Sequence, residues 1–150
     1  VQNAHENDPV ARHFTHVLFL SSMACESILV VEDDQDIRES IAEFLSMENY
    51  HVITASNGRD ALDKLQSIRK PCLILLDLMM PVMSGQEFLK VRTDNVAIAA
   101  VPVVIVSAIA DHSNVPKELV KGFVKKPINL DLLLKLVKTY CGEMQPPSEA

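Results

Sequence analysis

Leu73-Ile74-Leu75-Leu76-Asp77 is a continuous apolar run closed by a single carboxylate. Parallel strands covered on both faces read as unbroken runs of this kind, and in open α/β sheets ligands bind just beyond the carboxyl ends of the strands. The run predicts a central strand and puts Asp77 where such folds carry out chemistry. Three further runs end in the same way: Ile28-Leu29-Val30-Val31 before Glu32-Asp33-Asp34, Val103-Val104-Ile105-Val106 before Ser107, and Gly122-Phe123-Val124 before Lys125-Lys126-Pro127. As strands of one parallel sheet they would gather acids, a hydroxyl and an ammonium around Asp77. That set suits an acyl-phosphate with a divalent cation beside it.

Helical spacing takes over between the runs. Ile37, Ile41, Phe44 and Leu45 recur at that spacing, with Asp34 available as N-cap and Asn49 as a stop. His51 to Ala55 reads as a more polar edge strand, and Ala61, Leu62, Leu65 and Ile68 mark a second helix ended by Pro71. Ser84-Gly85-Gln86-Glu87 is a capping box opening a third helix through Phe88 and Leu89. A short fourth helix is expected around Lys117 to Lys121. Asn129 caps a fifth, with Leu132, Leu133, Leu136, Val137 and Tyr140 on one stripe. Five strands alternating with five helices predict an α/β, doubly wound, parallel sheet with right-handed crossovers.

A chain of 150 residues, 48% hydrophobic and 23% charged, suits one soluble domain able to bury a working core. Net charge is -6, and the basic residues are scattered apart from Lys121, Lys125 and Lys126, which argues against nucleic-acid binding. The apolar stretch Val17 to Leu20 is far too short to span a membrane. Cys25, Cys72 and Cys141 show no metal-ligand spacing, so Cys72 reads as a small buried hydrophobe in a reducing, cytoplasmic setting. Residues 1–26, with His5, His13 and His16, show no useful periodicity and read as a mobile extension. The domain is expected over 27–141, with a tail over 142–150.

Taken singly, each polar strand end has an ordinary reading. Glu32-Asp33-Asp34 are acids of the type favoured near a helix N-terminus, Ser107 is a strand-end hydroxyl, and Lys126 is a solvated charge. Joint placement changes the balance. Two like charges about 4 Å apart repel by roughly 4 kcal/mol at an effective dielectric near 20, so Glu32, Asp33 and Asp77 together call for a counter-charge. Mg2+ answers with hard oxygen ligands, and Lys126 offers a second positive charge.

Val30-Val31-Glu32-Asp33-Asp34, Leu76-Asp77-Leu78-Met79-Met80-Pro81-Val82-Met83-Ser84-Gly85, Ser107-Ala108 and Lys126-Pro127 are four ordered motifs, and together they resemble the receiver domain of two-component response regulators. The resemblance covers about residues 27–141 and implies a flavodoxin-like, five-stranded sheet of order 2-1-3-4-5. It implies that Asp77 takes a phosphoryl group from a histidine kinase or a histidine phosphotransfer protein. Asp33 would bind Mg2+ directly, Glu32 mainly through coordinated water, and the backbone carbonyl of Met79 would complete the metal ligands with Asp77. Lys126, before a cis Pro127, would pair with phosphoryl oxygens, and Ser107 would hydrogen-bond one of them. Phe123 matches the aromatic position that moves together with the switch hydroxyl of Ser107. Lys126 follows Ser107 by nineteen positions, a spacing shorter than the family's that truncates the fourth helix.

Such a site agrees with the chemistry, because phosphoryl transfer needs alignment and charge neutralisation more than covalent help. Met79 and Ile109, two residues past Asp77 and Ser107, offer no polar group to orient water, which predicts a long-lived phosphoryl-aspartate. The expected protein is a stand-alone receiver, monomeric or weakly dimeric, that signals to a downstream protein and is no enzyme beyond its own phosphorylation and dephosphorylation. Other readings stand beside it. A phosphatase with Asp77 as nucleophile would need an acid/base carboxylate where Met79 stands. A phosphate-independent interaction module would have no need of the intact Glu32, Asp33, Asp77, Ser107 and Lys126, and a receiver cut from a larger protein would have the tail ending in Pro146-Pro147-Ser148-Glu149-Ala150 as the start of a linker.

Overall fold

The computed structural model describes residues 27–109 and 112–146, so the expected extension over 1–26 and the last four positions of the tail lie outside the described residues. Strand β1 (Ile28–Val31) leads into α1 (Gln35–Met47), β2 (Val52–Ala55), α2 (Gly58–Leu65), β3 (Leu73–Leu76) and α3 (Gly85–Thr93). A short α4 (Val96–Ala99), β4 (Val103–Ser107), a 3-10 turn (Lys117–Leu119), β5 (Gly122–Lys125) and α5 (Leu130–Cys141) complete it. All strand pairings are parallel, in the order β2-β1-β3-β4-β5. That is the doubly wound sheet expected from the apolar runs.

The runs are strands because both faces of the sheet are covered. Side chains alternate along each strand, so Leu29, Val31, Ile74, Leu76, Val103 and Ile105 pack with Ala61, Leu62, Phe88, Leu89 and Ile98 of α2, α3 and α4. Ile28, Val30, Leu73, Leu75, Val104 and Val106 face Ile41, Leu45, Leu133 and Val137 of α1 and α5. Nothing polar interrupts β1, β3 or β4 until their carboxyl ends. Fully burying one such Leu, Ile or Val contributes about 1.5–3 kcal/mol, so the strand centres anchor the fold.

Capping follows the expected residues. Asp34 accepts from the Ile37 N–H at 3.1 Å, Asn129 from Leu132 at 3.0 Å, and Ser84 with Glu87 forms the reciprocal box. Asn49 ends α1 with φ 68, the left-handed conformation that asparagine tolerates.

Four details differ from the sequence reading. α2 closes at Leu65, short of Ile68, because the Gln66 and Ser67 N–H groups bond back three residues and tighten the last turn. The fourth helix reduces to the 3-10 turn at Lys117–Leu119, which has no side-chain cap and runs into extended Val120. On α5 the buried positions are Leu133, Val137 and Cys141, whereas Leu132 is exposed. Cys72 is half-buried and disulfide-bonded, not a buried free thiol.

Candidate functional site

The register brings the strand ends level. Val31 pairs with Leu76, Leu76 with Ile105, and Ser107 with Lys125. The next residues are then held by backbone: the Asp77 N–H donates to Val31 O at 3.0 Å, Glu32 to Ala55 O at 3.0 Å, and Lys126 to Ser107 O at 3.0 Å. Each reactive side chain therefore leaves the sheet from a strand position that cannot slip without breaking the ladder. The Lys126-Pro127 peptide is cis, as the resemblance implied.

Glu32, Asp33 and Asp77 each offer a carboxylate oxygen within 4.8 Å of the others. Glu32 and Asp77 are buried and Asp33 is exposed, so the cluster is open on one side. The Lys126 ammonium bridges two of the acids, 2.6 Å from Glu32 Oε2 and 3.3 Å from Asp77 Oδ2. Burial pushes the Glu32 carboxyl up to about 7, with the Asp77 charge adding to that effect and the Lys126 hydrogen bond opposing it. For Lys126 burial disfavours the charge, but the Glu32 hydrogen bond and the Asp77 carboxylate outweigh it and hold the amine above its ordinary value. The pocket carries more negative charge than one lysine can balance.

That imbalance, with three hard oxygen donors, fits a small divalent cation. Octahedral Mg2+ with ligands at about 2.1 Å places neighbouring oxygens about 3 Å and opposite ones about 4 Å apart, so a modest closure of the cluster suffices. The Met79 N–H donates to Asp77 Oδ1 at 3.4 Å, while its side chain is 66% exposed at the rim. Ser107 is fully buried, and its hydroxyl accepts from the Ile109 N–H at 3.3 Å within its own loop. Phe123 is half-buried and stacks on His112, ring centroids 4.3 Å apart. Three of the expected residues, Glu32, Asp77 and Lys126, therefore form one bonded group, with Asp33 beside it and Met79 attached to it through its amide. Ser107 and Phe123 belong to a neighbouring layer.

One participant escaped the sequence reading. Arg38 Nη1 donates to the carbonyl oxygens of Glu32 at 2.7 Å and Asp33 at 3.3 Å. An arginine four residues past a helix N-cap, behind an acidic run, was the available signal.

The model of the response regulator receiver domain matches residues 28–138. Response regulator RR06 of Streptococcus pneumoniae is 43% identical over 115 residues, covering 75% of this chain and 51% of that protein, so the chain spans about half the length of this relative. Chemotaxis protein CheY4 of Vibrio cholerae superposes with a TM-score of 0.70 at 30% identity, covering 78% of this chain and 99% of the other. Response regulator TrrA of Thermotoga maritima, solved in complex with Mg2+-BeF, gives a TM-score of 0.67 at 32% identity over 77% of this chain and 98% of the other. The family match runs through all five strands and includes every member of the acidic cluster, and on that ground the chain belongs to the response regulator receiver domains.

Proposed function

We propose that this chain accepts a phosphoryl group on Asp77 from a histidine kinase or histidine phosphotransfer protein, with Mg2+ beside it, and regulates a protein partner. The observation that carries this reading is the Lys126 ammonium shared between Glu32 and Asp77 inside a three-carboxylate cluster. Asp33, Asp77 and the Met79 carbonyl would hold the cation, with Glu32 acting through coordinated water. Bound there, Mg2+ neutralises charge on the phosphoryl oxygens. The Mg2+-BeF complex of the Thermotoga relative supports that assignment.

In the transfer an Asp77 carboxylate oxygen attacks phosphorus, the P–N bond to the donor imidazole breaks, and its electron pair stays on the nitrogen. Asp77 then carries an acyl-phosphate. Lys126, already within 3.3 Å of the nucleophile, turns its ammonium to a phosphoryl oxygen. Ser107 uses its oxygen as acceptor for Ile109, so its hydroxyl proton remains available to donate to a second one.

Switching needs more than that single bond. Moving an equilibrium from about 1:99 to 99:1 takes roughly 5.5 kcal/mol, whereas one hydrogen bond to a charged group supplies about 1.5–3. Lys126 and Ser107 must act together, or the partner must supply the remainder. Displacement of Ser107 would disturb the bond its hydroxyl accepts from the Ile109 N–H.

Incubation with acetyl phosphate and Mg2+, followed by intact-mass measurement, tests this reading. One phosphoryl group is expected, absent from Asp77→Asn and after chelation of the metal. Equal labelling of Asp77→Asn would overturn it, and steady turnover of a generic phosphate ester would favour a phosphatase instead.

A further inference from the structure

Arg38 lies on the first turn of α1, and nothing in the transfer scheme uses it. Side chains on a helix lean toward its N-terminus, and this one reaches back past the cap to the loop between β1 and α1. Its Nη1 donates to Glu32 O at 2.7 Å and Asp33 O at 3.3 Å, the carbonyls of two adjacent residues whose carboxylates belong to the acidic cluster. Its own N–H donates to Asp34 O at 2.9 Å. Backbone and side chain of one residue thus hold three consecutive carbonyls of the loop.

We propose that Arg38 is a positioning residue for the cation site: its guanidinium fixes the β1–α1 loop so that buried Glu32 and exposed Asp33 both present carboxylates to Asp77. The inference rests on the phosphoacceptor reading, in which that cluster holds Mg2+. A planar guanidinium suits the task because its donors lie in a fixed fork, whereas an ammonium donates as a point charge on a flexible stem. Glu32 reinforces the same loop, since its Oε1 accepts from the Asp34 N–H at 3.2 Å. The loop is bonded from both directions, by a carboxylate to its amide and by a guanidinium to its carbonyls.

Charge and position make opposite forecasts here. A cation beside a metal site repels the metal, so if Arg38 acted by charge alone its removal would tighten Mg2+ binding. If it acts by holding the loop, removal weakens binding.

The test compares wild type, Arg38→Ala and Arg38→Lys by calorimetric titration with Mg2+, and by amide hydrogen exchange in the metal-free protein. Arg38→Ala is expected to bind Mg2+ about tenfold more weakly, the size of one charge-assisted hydrogen bond, with Arg38→Lys in between. Exchange at the Asp34 amide, whose N–H donates to Glu32 Oε1, is expected to quicken about tenfold in Arg38→Ala, while the amides of β3 and β4 keep their protection. Unchanged or tighter Mg2+ binding by Arg38→Ala, or unchanged exchange at that amide, would overturn the proposal. If wild type itself binds no Mg2+, the phosphoacceptor reading fails, and the exchange measurement alone still judges the hold of Arg38 on the loop.

Discussion

The Lys126 ammonium sits closer to Glu32, at 2.6 Å, than to Asp77, at 3.3 Å. The lysine is therefore anchored mainly on Glu32 rather than on Asp77. On the proposed reading, a phosphoryl group on Asp77 would draw the lysine away from Glu32, and a proton on Glu32 would compete with both the lysine and a cation held by the cluster.

The competition fixes a pH dependence. With burial as the leading cause, the Glu32 carboxyl stands at about 7 in the fold against an ordinary value of 4.5. The folded chain keeps a proton there that the unfolded chain has released. Stability linked to Glu32 is then fully present below about 4.5 and is lost as pH rises through about 7. On the proposed reading Mg2+ sits beside the ionised form, so its affinity is expected to fall by up to about tenfold per unit as pH drops below 7. Thermal unfolding with and without Mg2+ checks this, since the metal-induced rise should be larger at about pH 8 than at about pH 6. Equal rises would contradict the assignment.

Val82 offers a separate test of the rim. It holds φ 68 although it is β-branched, and it is 80% exposed, so no packing recovers the strain. Asparagine tolerates this conformation, and Val82→Asn is expected to stabilise the protein by about 1 kcal/mol, a rise in melting temperature of a few degrees. Urea unfolding measures it. A loss of stability would show that the valine side chain makes contacts worth more than the strain.

The reach of the sequence reading follows the same physics. Strands such as Leu73–Leu76 are legible because burial on both faces forces apolar residues at every position, and Asp77 stands out because that pressure ends at the strand terminus. Caps at Asp34, Ser84 and Asn129 are legible because the side-chain chemistry itself makes the bond. Helix α4 is not, since four residues give no periodicity and the signal is confined to the capping Asn95. Arg38 is hidden for another reason: its spacing from the acids is visible, but the direction its side chain takes is set only when α1 packs beside β1. Likewise three consecutive acids do not reveal that Glu32 is buried while Asp33 is exposed.

Gly85 links the third helix to the backbone of Asp77. A Cβ there would run into the carbonyl oxygen of Asp77 and stand 2.8 Å from Leu78 Cα, both backbone atoms that cannot swing aside. The Gly85 N–H also donates to Leu78 O at 3.0 Å, which locks the approach. Gly85→Ala is expected to destabilise the fold by about 1–3 kcal/mol and to slow labelling of Asp77 by acetyl phosphate. Gly58→Ala is the comparison, because its Cβ would meet side-chain atoms of Met83, Cγ at 2.7 Å, rather than backbone, and should cost less. Matching losses in the two variants would argue against a special constraint at residue 85.

Met79 sets the expected lifetime of the phosphorylated state. Its N–H reaches Asp77 Oδ1 at 3.4 Å, so the side chain starts beside the carboxylate, yet it is an exposed thioether with no good hydrogen-bonding group for a water. Ile109, bonded through its N–H to Ser107, is equally unable to orient one. Hydrolysis of the acyl-phosphate then lacks a side chain at these two positions to align the attacking water. Replacing Met79 by Asn supplies an amide that can hold a water by one hydrogen bond, and the lifetime is expected to shorten about tenfold, the equivalent of about 1.4 kcal/mol. Loss of phosphoryl label from purified protein, followed by intact mass, measures this. Rapid loss from wild type that Met79→Asn leaves unchanged would mean that water is aligned by some other group and that the apolar rim does not control the lifetime.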